Sequence, residues 1–340
     1  MLAAVTQLQN AQTVKEFLLK RNLIHQEYLV VKEMGFIYFP ITKSAKVPKA
    51  KIVNTKFQFP RKAGSLTIEE LLKTKLLPQE LAIIPKSQEI VGQIMILEIP
   101  EELISKEKII AQSYLQINKN IDTVVKKDHI HTGEYRLRKV KILAGKNSKE
   151  TIHQESGIKI KLHLERTYFS ARTSHERLRI AKQVKPGENI MVMFSGAGPL
   201  PLILAHKTPA RHITGIEINP LAHQYALQSI ELNNLQDKIT LLEGDVRERL
   251  PQLNQIFDRI AMPLPKTGEE FLDVALPKLK KKGILHLYAF LAENEIATHG
   301  KKVKEICTQL KHPVRIMRAV KCGQFSPRVF RICFDLKMLK

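Results

Sequence analysis

Two glycines, two carboxylates and a proline turn, spaced along residues 189–266, carry the most readable chemistry in this 340-residue chain. The segment NIMVMFSGAGP is a short apolar run ending in a turn with Gly196 and Gly198, followed by the apolar stretch LPLILA. That pattern reads as a buried parallel strand feeding a helix. Glycine permits positive φ and lets a ligand approach the backbone, as a strand–loop–helix cofactor turn requires. Further on, HITGIEINP reads as a second buried strand closed by Glu217, a carboxylate placed to accept from ribose hydroxyls. A third strand, ITLLEGDVRE, puts Asp245 at its tip, and a fourth, FDRIAMPLPK, ends in a turn containing Pro263. Gly198 is followed by Pro-Leu-Pro, so the third glycine of a dinucleotide GxGxxG is missing and a diphosphate has a poor cradle. Each piece alone is also an ordinary turn. Together, in order and at α/β spacing, they suit S-adenosylmethionine (SAM) better than a nicotinamide dinucleotide.

These residues need a scaffold, and the patterns on either side supply one. Residues 174–184 form an amphipathic helix leading into the glycine turn, and strand and helix patterns then alternate to Phe290. A helix over 301–310 precedes RIMRAVKCG and RVFRICFDLKM, which read as a hairpin at the edge of a mostly parallel sheet. Upstream, SQEIVGQIMILEIP reads as a strand pair, 101–118 as a helix, and Ile158, Ile160, Leu162 and Leu164 alternate as a half-buried strand. Thr67 and Glu70 form a capping box at a short helix. A helix over 13–21 with Val14, Phe17 and Leu18 on one face precedes two strands around Met34-Gly35. The charged residues of 43–62 are all basic, which reads as a connector able to touch phosphates. The expected division is a small α+β N-terminal module (1–62), an α+β middle domain (63–166) and a Rossmann-like α/β domain (167–340).

The formal net charge of +22 points to a polyanionic partner, because Lys and Arg release counterions from phosphates on binding. The bland alternative is a lysine-rich solvated surface. Cys307, Cys322 and Cys333 are widely spaced, and no Cys/His cluster suggests a metal, so they read as reduced core residues of a cytoplasmic protein. The chain has no apolar run of membrane-spanning length, and no membrane association is expected.

The series GEYRLRKVKILAG, YFSARTSHERLRIA, MFSGAGP, IEINP, GDVRE, FDRIAMPLPK and SPRVFRICFDLKM resembles the archaeal and eukaryotic class I tRNA (guanine-N1)-methyltransferase family, with its wyosine-pathway paralogues. The resemblance runs from about Thr13 onward and implies a monomeric, SAM-dependent enzyme that modifies guanosine 37 of tRNA. It also implies that Glu176 is the general base and Arg136 the arginine stabilising charge on O6, although Arg138 competes for that role. Guanine N1 carries a proton at neutral pH, so a base and an oxyanion partner are the simplest pair for this chemistry. Read from the residues alone, Glu176 is a surface partner of Arg179 or Arg172 on a helix. For the cofactor the resemblance implies aromatic contacts from Tyr168 and Phe194 and a polar one from Arg177. Glu217 and Ile218 then lie at the ribose, and Asp245 and Val246 at the adenine.

The sequence departs from the family at Pro263, where members often carry Asn; any hydrogen bond from there must use backbone carbonyls such as that of Met262. Four readings stay open: guanosine-37 N1-methylation, aminocarboxypropyl transfer or methylation in tricyclic guanosine synthesis, tRNA binding with weakened catalysis, and a nicotinamide-dependent dehydrogenase.

Overall fold

The computed structural model describes residues 1–61, 66–132, 137–264 and 266–339. Arg136 and the expected 62/63 boundary lie outside them. The chain forms two compact units, Met1–Leu71 and Leu72–Lys340.

In the first unit, strands Val31–Glu33, Phe36–Pro40, Leu2–Gln7 and Lys51–Asn54 form an antiparallel sheet in that order. Helix Ala11–Lys20 buries Val14 and Leu18 in the same core as Ala4, Ile37 and Phe39. Met34 and Gly35, at φ of 47° and 80°, make the two-residue turn that the sequence marks between two strands. The basic stretch 43–62 departs from the expected connector. Its Lys51–Asn54 segment is an edge strand on Leu2–Val5, while Val47 and Phe59 are buried. Lysines on a sheet edge discourage further pairing, which hides such a strand behind its charge. The Leu2–Gln7 strand has no counterpart in the sequence reading.

In the second unit, Glu89–Val91, Ile94–Leu97, Thr123–Thr132 and Leu137–Gly145 form a four-stranded sheet. Ile94–Leu97 and Thr123–Thr132 are parallel, and the chain between them contains helix Glu107–Ile117. The following hairpin, Glu150–Glu155 with Ile158–His163, rests on helix Pro220–Leu232. There the Lys161 N–H donates to Ser229 Oγ at 2.9 Å, and the Asn233 amide brackets Lys159 by bonds of 2.9 and 2.6 Å. Ile158, Ile160, Leu162 and Leu164 are all buried, and they share one core with Ile96, Val125, Val192 and Ile203. The stretches read as middle and catalytic domains therefore fold around continuous apolar packing.

The site is positioned by a seven-stranded sheet ordered Ile239–Glu243, His212–Glu217, Asn189–Met193, Phe257–Met262, Leu279–Ala292, Val329–Met338, Val314–Ser326. The first five run parallel, Val329–Met338 runs against them, and Val314–Ser326 pairs antiparallel to Val329–Met338 at the edge. Successive strands step one way from Asn189–Met193 to Ile239–Glu243, and the next, Phe257–Met262, pairs on its other side. Such a switch opens a crevice at the strands' carboxyl ends, where open α/β sheets bind ligands. Among the described residues no helix is long and apolar enough to cross a membrane.

Candidate active site

Strand Asn189–Met193 leaves the sheet through Phe194, whose φ of 56° is rare for a bulky residue and marks a constrained turn. Gly198, in the left-handed region at φ 80°, then caps helix Pro199–Lys207, which has proline in its first turn. A Cβ on Gly198 would come within 3.2 Å of Ala226 Cβ, so the glycine also lets two helices close up.

Glu217 organises this turn. Its Oε2 accepts from the Gly196 N–H at 2.6 Å and its Oε1 from the Asn219 N–H at 2.9 Å. Burial pushes its carboxyl above the ordinary range, against the pull of these backbone donors. Asn219 caps helix Pro220–Leu232, and Asp245 caps Val246–Gln252 by accepting from the Arg247 N–H at 2.8 Å. Inside the turn, Ser195 Oγ is buried and finds no hydrogen-bond partner among the described residues. A buried hydroxyl of that kind beside an open glycine turn, with carboxylates at successive strand ends, fits a nucleoside cofactor bearing hydroxyl and amino groups.

Tyr168, Glu176, Arg177, Phe194, Gly196 and Pro263 meet on one cavity of about 100 Å³. Gly198, Glu217, Ile218, Asp245 and Val246 lie outside its lining, along the carboxyl ends of the neighbouring strands. Pro263 bridges a tight turn in which the Leu264 N–H donates to the Met262 carbonyl at 2.7 Å, engaging the carbonyl singled out from the sequence.

Glu176 lies on helix Ser174–Ala181, faces the cavity and is only 6% exposed. The pairing with Arg179 is present, but it joins a buried carboxylate to a half-buried guanidinium rather than two surface groups. Arg179 donates through Nε to Oε2 at 2.7 Å and through Nη2 to Oε1 at 2.9 Å. The Tyr288 hydroxyl donates to Oε1 at 2.6 Å, and burial holds that phenol protonated well above its ordinary range. Each carboxylate oxygen has two lone pairs. Both on Oε1 are therefore used, and one on Oε2 remains.

Its neighbour Arg177 is committed elsewhere. It forks onto the Glu155 carboxylate through Nε at 2.6 Å and through Nη2, and donates through Nη1 to Thr173 Oγ1 at 2.6 Å. It shapes the wall and clamps the turn before the helix.

A second chamber of about 290 Å³ adjoins the first and shares Tyr168 and Arg331 with it. Lys127, Arg172 and Lys266 line it together with Arg138, which is paired with Glu89 at 3.1 Å. Phe290 and Phe325 stack there at 3.9 Å, and the Arg331 guanidinium lies 5.6 Å from the Phe290 ring centre. Cations beside exposed aromatic faces are the groups that hold unpaired nucleotides.

The sequence reading missed Tyr288, Arg331, Ser195 and the buried charges behind Glu176. The available signal was a charged or polar residue inside a run that otherwise reads as a buried strand, as in RICFDLKM, GILHLYAF and FDRIAM.

Residues 151–317 match the TRM5/TYW2 methyltransferase domain, and residues 68–148 match the TYW2 N-terminal domain. The tRNA (guanine(37)-N(1))-methyltransferase Trm5b of Pyrococcus abyssi is 32% identical over 342 residues, covering 99% of each chain. The chain belongs to the TRM5/TYW2 family. The crystal structure of wild-type Trm5b from Pyrococcus abyssi matches over the whole of both chains, with a TM-score of 0.73 and 31% identity. The family's other branch is as similar in identity over a shorter span. The tRNA(Phe) (4-demethylwyosine(37)-C(7)) aminocarboxypropyltransferase of Pyrococcus horikoshii is 32% identical over 275 residues, 80% of this chain and 96% of the relative. The Rossmann-like methyltransferase fold expected from the sequence is the fold found, and TRM5/TYW2 membership replaces the dehydrogenase reading.

Proposed function

We propose that this chain methylates N1 of guanosine 37 in tRNA, with Glu176 as general base and Arg136 stabilising charge on O6. The observation that carries the proposal is the geometry of Glu176: a buried carboxylate at the cavity, locked by Arg179 and Tyr288, with one lone pair left on Oε2. Full-length similarity to enzymes named for this reaction supports it. S-adenosylmethionine is the cofactor, and it supplies an electrophilic methyl group on a sulfonium.

The residues divide the remaining work. Glu217 and Ile218 are assigned to the ribose, Asp245 and Val246 to the adenine, and Tyr168, Phe194, Gly196, Gly198 and Pro263 to the rest of the cofactor. Arg177 is assigned a wall rather than a direct polar contact, since its donors are taken. N1 becomes nucleophilic when Oε2 of Glu176 takes its proton, and charge left on O6 requires a fixed cation. The cationic aromatic chamber suits an unstacked nucleotide of the tRNA, and the net charge of +22 suits its backbone. The division at 62 and 166, with the first module acting on tRNA, is part of the same proposal.

The test is SAM labelled on the methyl group, with an unmodified transcript carrying guanosine at position 37 or adenosine there. Label entering only the guanosine transcript supports the proposal, and none entering either defeats it. A second reading, aminocarboxypropyl transfer in wyosine synthesis, is favoured by the equal identity to that branch. SAM labelled in the carboxyl carbon distinguishes it, since only that reaction leaves carboxyl label in the tRNA.

A further inference from the structure

Behind Glu176 lies a chain of largely buried polar and charged side chains that the proposed proton transfer does not use. Arg179 turns its free side onto Asp335, donating through Nη1 to Oδ2 at 2.6 Å and through Nη2 to Oδ1 at 3.0 Å. Asp335 Oδ1 also meets His286 Nδ1 at 2.7 Å, and His286 Nε2 meets Arg259 Nη1 at 2.7 Å. Arg259 in turn forks onto Glu188 at 2.8 and 3.1 Å. His286 is fully buried, and Asp335 and Arg259 are each 2% exposed.

The chain has one consistent assignment of protons. A guanidinium only donates, so His286 Nε2 accepts from Arg259. The imidazole is then neutral with its proton on Nδ1, and it donates to Asp335. Asp335 accepts from His286 and from both Nη atoms of Arg179, with Gln183 Nε2 adding a bond of 3.2 Å. Arg179 is thereby fixed in plane and direction, and its Nε and Nη2 can meet Glu176 in one orientation only. Buried ion networks of this kind are often replaceable by apolar side chains at no cost in stability. A stability role therefore leaves unexplained why this one terminates on a carboxylate in the cavity wall.

We infer that Asp335 and His286 are positioning residues, which hold Arg179 and through it keep one lone pair of Glu176 turned to the substrate. The inference rests on the reading of Glu176 as the proton acceptor. It concerns three neighbouring strands, since Arg259, His286 and Asp335 stand on Phe257–Met262, Leu279–Ala292 and Val329–Met338.

Two near-isosteric variants test it. His286→Asn places an amide N–H near the Nδ1 position and keeps the bond to Asp335. His286→Gln places its amide near Nε2 and loses that bond. Single-turnover methyl transfer at saturating SAM and tRNA is expected to fall about 10- to 100-fold in H286Q, and to stay within about threefold of the parent in H286N. SAM and tRNA affinities, measured separately, stay unchanged in both. In an E176Q background the difference between the two variants vanishes, because the residue they position is no longer a base. Equal behaviour of H286N and H286Q, including failure of both to fold, overturns the inference, and so does a difference that persists in E176Q. Near-normal turnover of E176Q alone is a separate result that removes Glu176 as the base.

Discussion

Glu176 and Glu217 are both buried carboxylates near the cofactor turn, and they are held by different kinds of partner. Glu217 accepts from backbone amides of the turn itself, so its geometry is inherited from strand and loop. Glu176 is held by the side chains of Arg179 and Tyr288, which reach it from its own helix and from the sheet. A carboxylate tied to backbone moves only if the loop moves, which suits a binding group. One tied to side chains can be tuned residue by residue, which suits a group that exchanges a proton.

Changing Glu176 should break this contrast most sharply. Glu176→Gln keeps the shape and loses the base, so single-turnover methyl transfer should fall by about 10²–10⁴-fold with SAM and tRNA affinities nearly unchanged. Turnover close to the parent would place the base elsewhere. Next in size is Asp335→Asn, which leaves Arg179 and His286 without their shared carboxylate. Removing one partner from a buried pair costs about 3–5 kcal/mol, read as a lower denaturant midpoint at neutral pH. The pH dependence has a definite sign. His286 and Arg179 hold the Asp335 carboxyl below its ordinary value of 3.8, so the stability it contributes is present above that value and lost as pH falls below it. The parent should therefore lose stability below about pH 4, and the variant should lose less over the same interval. Parallel pH curves for the two proteins would contradict this.

Glu217→Ala should act on binding rather than on rate. Losing a buried acceptor of charge-assisted bonds is worth about 1.5–3 kcal/mol, so SAM affinity by calorimetry should drop about tenfold or more. The rate at saturating SAM should change little; a rate loss without an affinity loss would erase the distinction between the two carboxylates. The smallest effect is expected at Pro263. With the Met262 carbonyl already engaged by the Leu264 N–H, Pro263→Ala should alter the rate by less than about threefold, and Pro263→Asn should match or exceed the parent. A large loss in Pro263→Ala would give the proline ring itself a role.

The parallel strands were legible because fully buried runs such as Ile190–Met193 are continuous apolar stretches ended by glycine or an acidic residue. The Met34-Gly35 hairpin and the Thr67–Glu70 capping box were legible for a similar reason, since each is a local rule with local partners. Six of the expected site residues share one cavity, and three of them, Phe194, Gly196 and Pro263, stand at the ends of those parallel strands. The rest depended on partners far away in sequence. Nothing near Arg177 announces that Glu155 consumes its guanidinium, and Lys51, with Lys49 and Lys56 on either side, conceals an edge strand whose partner is at the other end of the module. Asp335, His286 and Arg259 look out of place in apolar runs, but only the pairing of their strands shows that they satisfy one another.

The position of strand Val329–Met338 within the sheet has a consequence for how the protein comes into being. It is the last strand of the sheet in sequence, yet it lies in the interior, between Leu279–Ala292 and Val314–Ser326. Arg331 and Asp335 arrive with it, and Asp335 meets an arginine 156 positions earlier in the chain. During synthesis the five parallel strands can assemble first, but Arg179 has no carboxylate from this strand until the final hairpin zips into place. Contacts between such distant segments form slowly, because a long loop must close before they give any return. The turn held by Glu217 can thus be built early, while the Arg179–Asp335 link behind Glu176 is completed by one late event.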